Sequence, residues 1–297
     1  MKYRAQPRQV TTPIIMVFAL ASLIWYASFL FARQNIGHPI AYFLLILAEI
    51  IGMSQLFGAW ATILFASFLP EKTTRVSKTA LKKLRKKDIV VFVPVAGEPY
   101  DIISRTLTAA HHMNAPHRTI VLDDGDSLKV KELADDLGIE YLSRPIKDGT
   151  KAGNINYGLS QINAKYVAIF DSDHAPDPEF LSETLPHLLA DSSLAFVQTP
   201  QYFDNSDGFI SGGTAEAQEI FYRYIQIGKN AFGSAFCVGT NVIFRRQALD
   251  EIGGIYDKSN SEDIWTSILL HEKGWHSLFL PQVLAKGKAP EDRKSVV

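Results

Sequence analysis

The chain has 297 residues, 47% hydrophobic and 21% charged, with a formal net charge of −1 and one cysteine, Cys237. That length holds one domain of about 200 residues plus an added segment. The composition excludes disordered and fibrous classes, and a lone cysteine excludes disulfide-stapled folds and cysteine-based zinc clusters, which places the functional part in a reducing compartment.

Residues 13–32, PIIMVFALASLIWYASFLFA, carry no formal charge, enough for a helix to cross about 30 Å of hydrocarbon. Residues 40–69 form a second run with Glu49 as the only ionisable group, long enough to cross with tilt. A secretory apolar region is typically about 7–15 residues and precedes a small-residue cleavage site, which this sequence lacks. The sequence therefore predicts two transmembrane helices within 1–69, with Trp25, Tyr26 and Trp60 as candidate interface anchors. Lys2, Arg4 and Arg8 precede the pair, and residues 70–88 follow it with eight basic side chains against two acidic. Positive charge at both outer ends places both in the cytoplasm. Glu49 and Gln55 read as groups that hydrogen-bond between the helices. The segment 70–88, ending in Lys82, Lys83, Arg85, Lys86 and Lys87, reads as a basic juxtamembrane connector against the anionic headgroups of the lipid bilayer.

From residue 89 onward 18 basic side chains face 28 acidic ones, the wrong sign for a nucleic-acid surface. Short β-rich runs at 89–95, 119–122, 139–142, 166–170 and 194–199 alternate with amphipathic stretches at 101–113, 127–137, 152–162 and 178–189. Such alternation predicts an α/β domain over 89–297 on a mostly parallel sheet. Ligands of open sheets gather at the carboxyl ends of the strands. Asp123-Asp124-Gly125 follows the second run and Asp171-Ser172-Asp173-His174 the fourth. Two carboxylates one residue apart after a buried strand can direct oxygens to one hard cation, Mg2+ or Mn2+, bridging to a diphosphate. An Asx-type turn is the plain alternative for that segment. Asp171-Ser172-Asp173 also suggests an aspartyl phosphatase, but its position near the fourth strand and Ala175 after His174 fit that class poorly. Lys151-Ala152-Gly153-Asn154-Ile155-Asn156 opens a helix after Gly149-Thr150 and suits a phosphate; Ser261-Glu262-Asp263 opens another, where acids also serve simple capping.

Taken in order, Asp123-Asp124-Gly125, Lys151 to Asn156, Asp171 to His174, Gln198-Thr199-Pro200, Gly239-Thr240-Asn241 and Ser261-Glu262-Asp263, with His271 to Trp275 and Ala289-Pro290-Glu291 behind them, resemble the processive branch of family 2 glycosyltransferases, the cellulose and hyaluronan synthases. The resemblance covers residues 88–291 and implies a GT-A fold, a nucleotide-sugar donor such as a UDP-sugar, a glycan acceptor and a divalent metal. By that resemblance Glu98, Asp123 and Asp124 border the nucleotide base, Lys151 the diphosphate, and Asp171 with Asp173 the phosphate and metal. Asp263 is then the general base of an inverting transfer, with Glu262 beside it. Residues near Phe236 to Thr240, Gly239 and Thr240 among them, then border the acceptor, Gln198 of the Gln-Thr-Pro motif binds substrate, and Trp265 or Tyr202 offers a face on which a sugar could stack, with core packing as the plain alternative.

The first strand leads into Pro94-Val95-Ala96-Gly97-Glu98-Pro99 where relatives carry Thr-Tyr-Asn-Glu-Pro, and Ser261 stands where they have Thr. The family's Gln-x-x-Arg-Trp and its later membrane spans do not occur before Val297, so the expectation is a fragment of a longer synthase that works with further synthase subunits, or else a transferase that adds few sugars. A non-catalytic, membrane-tethered nucleotide-sugar binder is the competing reading.

Overall fold

A computed structural model of the chain describes residues 11–68, 77–147 and 150–289. Gly149, Lys72, Arg75, Pro290 and Glu291, on which parts of the reading above rest, lie outside the described residues. The two apolar runs form α1 (Thr11–Leu30) and α2 (Pro39–Phe68). Among the described residues Pro39–Leu64 is the one helix long and apolar enough to cross a membrane, and Ile14–Leu30 is a shorter apolar helix. Tyr26 hydrogen-bonds to Glu49 across the pair and Tyr42 Oη donates to Leu30 O at 2.7 Å, whereas Ser22, Ser28, Ser54 and Thr62 donate to carbonyls of their own helix. Most of their large apolar side chains remain exposed.

Between α2 and the domain, residues 78–83 and 86–88 form short 3-10 turns. Leu81 and Leu84 pack against the domain core, because alternating Leu among Lys residues buries the apolar side chains and leaves the ammonium groups in water.

The domain is a seven-stranded sheet between two helical layers. In chain order its elements are β1 (Ile89–Val95), α3 (Tyr100–His111), β2 (Arg118–Asp123), α4 (Leu128–Leu137), β3 (Glu140–Leu142), α5 (Lys151–Ser160), β4 (Tyr166–Ile169), β5 (Ala175–Pro176), α6 (Phe180–Ala190) and β6 (Leu194–Gln198). There follow α7 (Phe209–Ile220), a π-turn (Phe221–Gln226), α8 (Ile227–Ala231), β7 (Val242–Arg245), α9 (Arg246–Ile252), α10 (Glu262–Glu272), β8 (His276–Phe279) and β9 (Ala285–Lys286). The sheet order is β3-β2-β1-β4-β7-β6-β8, and β5 pairs with β9 in a small second sheet. β7 runs antiparallel to both β4 and β6 and the remaining pairs of the large sheet are parallel, whereas β5 and β9 pair antiparallel.

β1 is buried along its whole length, as a strand covered on both faces must be, which is why IVVFVPV reads as a continuous apolar run. Val91 and Val93 face the side covered by α3, α4 and α6, whereas Val90 and Phe92 face α5, α9 and α10. The period-2 alternation of the strand thus feeds two separate cores. Ser127 caps α4 by accepting from Val130 N, and Gly138 ends that helix in the left-handed region. Since β7 is reversed, the segment entering it arrives at the edge of the sheet where β1, β2, β4 and β6 end.

Candidate active site

At the end of β1 the Glu98 carboxylate accepts from Ala96 N at 2.7 Å and closes a tight turn. At the end of β2 the two adjacent aspartates separate. Asp123 is buried, and its oxygens accept from Gly125 N (2.7 Å), Ser127 N (2.8 Å) and Tyr141 Oη (2.9 Å). Asp124 faces the cleft and is gripped by Arg144, whose Nε and Nη2 donate to its two oxygens at 2.8 and 2.7 Å. Such a bidentate pair fixes both the position and the charge of the carboxylate.

At the end of β4, Asp171, Asp173 and His174 offer oxygen and nitrogen atoms all within 4.8 Å of one another. His174 Nδ1 shares a 2.7 Å hydrogen bond with Asp173 Oδ1. Its Nε2 is buried without a partner and faces Gly287, at which a Cβ would lie 2.6 Å away. Two carboxylates and an imidazole this close together fit Mg2+ or Mn2+, with Mn2+ the better match to the nitrogen. Burial pushes the Asp173 carboxyl up, but the His174 hydrogen bond and the charges of His174 and Lys151 outweigh it and hold it below its ordinary value.

Lys151 begins α5 and donates from Nζ to Gly239 O at 2.7 Å, with Asp171 as its ion-pair partner. Burial would lower its pKa, yet the charge and hydrogen bond of Asp171, reinforced by Glu262, raise it. The ammonium therefore stays charged beside Asp171 and Glu262.

Residues 236–241 close the opposite side. Gln198 is fully buried at the end of β6; its Nε2 donates to Thr240 O (2.7 Å) and Thr199 O (2.8 Å), and its Oε1 accepts from Val238 N (3.0 Å). Thr240 is equally buried and its Oγ1 accepts from Asp171 N at 2.8 Å. Asn241, with φ 53°, turns the chain into β7. Cys237 N donates to Ser267 Oγ (2.7 Å), and Ser267 Oγ donates to Asp263 O (2.9 Å), which ties this segment to the first turns of α10. Cys237 itself is buried, which pushes its thiol up to about 12 and leaves it unreactive.

Glu98, Asp124, Lys151, Asp171, Asp173, Gly239, Glu262 and Asp263 line one cavity of about 1320 Å³. A second cavity of about 800 Å³, walled by α7 and the π-turn, meets it at Gln201, Thr214, Gln218, Val238 and Asp263. Three residues expected to border ligands do not line either cavity: Asp123, Gln198 and Thr240 turn inward and hold the loops that do. Trp265 packs 5.6 Å from Tyr256, and neither it nor Tyr202 belongs to either lining. The sequence reading passed over Arg144, Gln218 and Lys288. Arg144 stands two residues past β3, at the strand edge already known to collect ligands, and could have been found there. Gln218 and Lys288 gave no such signal.

The glycosyl transferase family 2 model matches residues 90–253. The UDP-forming cellulose synthase catalytic subunit of Xanthomonas axonopodis pv. citri is 34% identical over 209 residues, covering 68% of this chain and 29% of that protein. Its counterpart from Pseudomonas fluorescens is 34% identical over 209 residues, covering 68% and 28%. The chain thus spans less than a third of the length of these relatives. Among solved structures, a mannosyltransferase from Pyrobaculum calidifontis in complex with GDP-Man and Mn2+ aligns with a TM-score of 0.62 at 18% identity, over 84% of this chain and 68% of that one. Residues 1–349 of TarS from S. aureus in complex with UDP-GlcNAc give a TM-score of 0.52 at 14% identity, over 70% and 60%. Both likenesses are of fold, a GT-A-like α/β domain.

Proposed function

The chain belongs to glycosyl transferase family 2, and we propose that it is a membrane-anchored, inverting, metal-dependent glycosyltransferase that moves a sugar from a UDP-sugar to a hydroxyl of a glycan acceptor. The observation that carries this reading is convergence: acids from the ends of β1, β2 and β4 and from the start of α10 line a single cavity, with the half-buried Lys151 ammonium among them.

In this reading Asp124, held by Arg144, and Glu98 flank the nucleoside. Asp171, Asp173 and His174 hold Mg2+ or Mn2+, which when bound neutralises charge on the departing diphosphate. Lys151, already cationic beside Asp171, supplies further positive charge to the same oxygens. Asp263, at the junction of the two cavities, accepts the proton of the acceptor hydroxyl as its oxygen attacks the anomeric carbon from the face opposite the diphosphate. Inversion follows without a covalent sugar intermediate. α1 and α2, with their exposed apolar surface, supply the anchor in the bilayer, and the basic residues flanking the pair assign the catalytic domain to the cytoplasm. Further synthase subunits fit relatives more than twice this length.

The test uses the full chain in lipid nanodiscs with a panel of UDP-sugars, following UDP release with and without oligosaccharide acceptors. Metal-dependent UDP release that Asp263→Asn abolishes while UDP binding persists supports transfer. Tight UDP binding with no turnover in the native chain supports the non-catalytic binder instead.

A further inference from the structure

Val238 and Gly239, which line the acceptor side of the cavity, belong to the segment 236–241, and what holds that segment also touches α2. α7, the π-turn and α8 run as one helix from Phe209 to Ala231. A π-turn adds a residue to the ordinary helical turn and re-aims the side chains around it. Gln226, at its end, is fully buried, with Nε2 donating to Phe236 O at 2.7 Å and Oε1 accepting from Phe236 N at 2.9 Å. A buried amide satisfied twice by one backbone unit cannot shift alone, since either group left unpaired is costly.

Two residues further along, the same helix meets the apolar helix α2. A Cβ placed on Gly228 would lie 2.3 Å from Thr62 O and 2.5 Å from Thr62 Cγ2. The backbones approach as closely as small-residue packing between apolar helices allows, and any side chain at 228 forces them apart.

We propose that Gly228 and Gln226 are positioning residues through which the seating of α2 on the domain sets residues 236–241 and hence the acceptor side of the cavity. The acceptor part rests on the transfer reading above; the positional part does not.

Cys237, the single cysteine of the chain, lies inside the segment in question and is buried. Its labelling by N-ethylmaleimide, followed by mass spectrometry on the full chain in nanodiscs, therefore reports local opening without reference to any reaction. Native protein should label slowly. Gly228→Ala, and Thr62→Leu, which crowds the same seat from the other helix, should label at least about 10-fold faster, as should Gln226→Ala, which leaves the seat intact. Leu133→Ala, a core change on the opposite face of the sheet, should label at the native rate although it is destabilised to a similar extent. Native-rate labelling in both seat variants overturns the proposal, and so does equally fast labelling in Leu133→Ala. Where one seat variant does not fold, the other and Gln226→Ala decide. In the kinetic arm, the acceptor KM should rise about 10-fold with the donor KM unchanged, a split that general loss of stability would not produce; both moving together overturns the acceptor part. Absence of turnover in the native chain counts against transfer, and the labelling result then decides the positional claim by itself.

Discussion

The two sides of the cleft are built on different principles. On the donor side, formed by the ends of β1, β2 and β4, charged side chains do the work: Asp124, Asp171, Asp173 and Lys151 face the cavity, each with a defined partner. On the other side Val238 and Gly239, from the segment 236–241, line the cavity, and that segment is held from behind by the buried amides of Gln198 and Gln226 and the hydroxyl of Ser267. In the proposed reading one side meets phosphates and a cation, so it needs charge, and the other receives a neutral hydroxyl beside a base, so it needs shape, which is set by hydrogen bonds that a ligand never touches.

Several substitutions break or sharpen that contrast. Asp263→Asn removes the base on the acceptor side and should lower kcat by about 100- to 10,000-fold with UDP affinity unchanged, read by transfer assay and calorimetry. An equal loss of UDP affinity would place Asp263 with the donor instead. Arg144→Met strips the buried partner of Asp124 and should cost about 3–5 kcal/mol in urea unfolding, together with a raised donor KM and an unmoved acceptor KM. For the cation, His174→Ala should weaken Mn2+ by about 10- to 100-fold in a titration of UDP release, and chelation should stop transfer until Mg2+ or Mn2+ is restored. Gln198→Leu should cost about 1–3 kcal/mol and raise the acceptor KM alone, the mirror image of Arg144→Met; a raised donor KM would erase the distinction between the two sides.

The smallest effect concerns the rim, where Asp204 pairs with Arg105 at 2.8 Å and Lys288 at 3.0 Å. Burial pushes the Asp204 carboxyl up, but Lys288 and Arg105 outweigh it and hold it below its ordinary value. A carboxylate depressed on folding adds stability above its unfolded value, and that contribution disappears as pH falls through the folded one. Asp204→Asn should therefore lower Tm slightly at pH 7 and not at pH 2, in thermal unfolding followed by circular dichroism.

Much of the donor side was legible in the sequence. The run 89–95 coincides with β1, and α4, expected over 127–137, begins at Leu128 with Ser127 as its cap. Each parallel strand covered on both faces is an apolar run, and a polar residue directly after it reaches the cleft edge by topology alone. The acceptor side was not legible in that way. β7 is reversed, so its contribution comes from residues before the strand, and the helix over 209–231 hides behind Gly212-Gly213 and a π-turn that upset the 3.6-residue period. Motif resemblance pointed to Gln198, Gly239 and Thr240 without saying that only Gly239 faces the cavity.

The sequence by itself determined the layered α/β domain, the apolar helices before it and the acids at the strand ends, because burial periodicity and charge are local properties of the chain. Tertiary structure alone decided which of two neighbouring aspartates meets solvent and which braces a turn, and that buried amides some 30 residues apart would clamp one short segment. Those outcomes depend on which backbone groups are left unpaired once the sheet has closed, and an unpaired group is a property of the packed molecule, not of any stretch of residues.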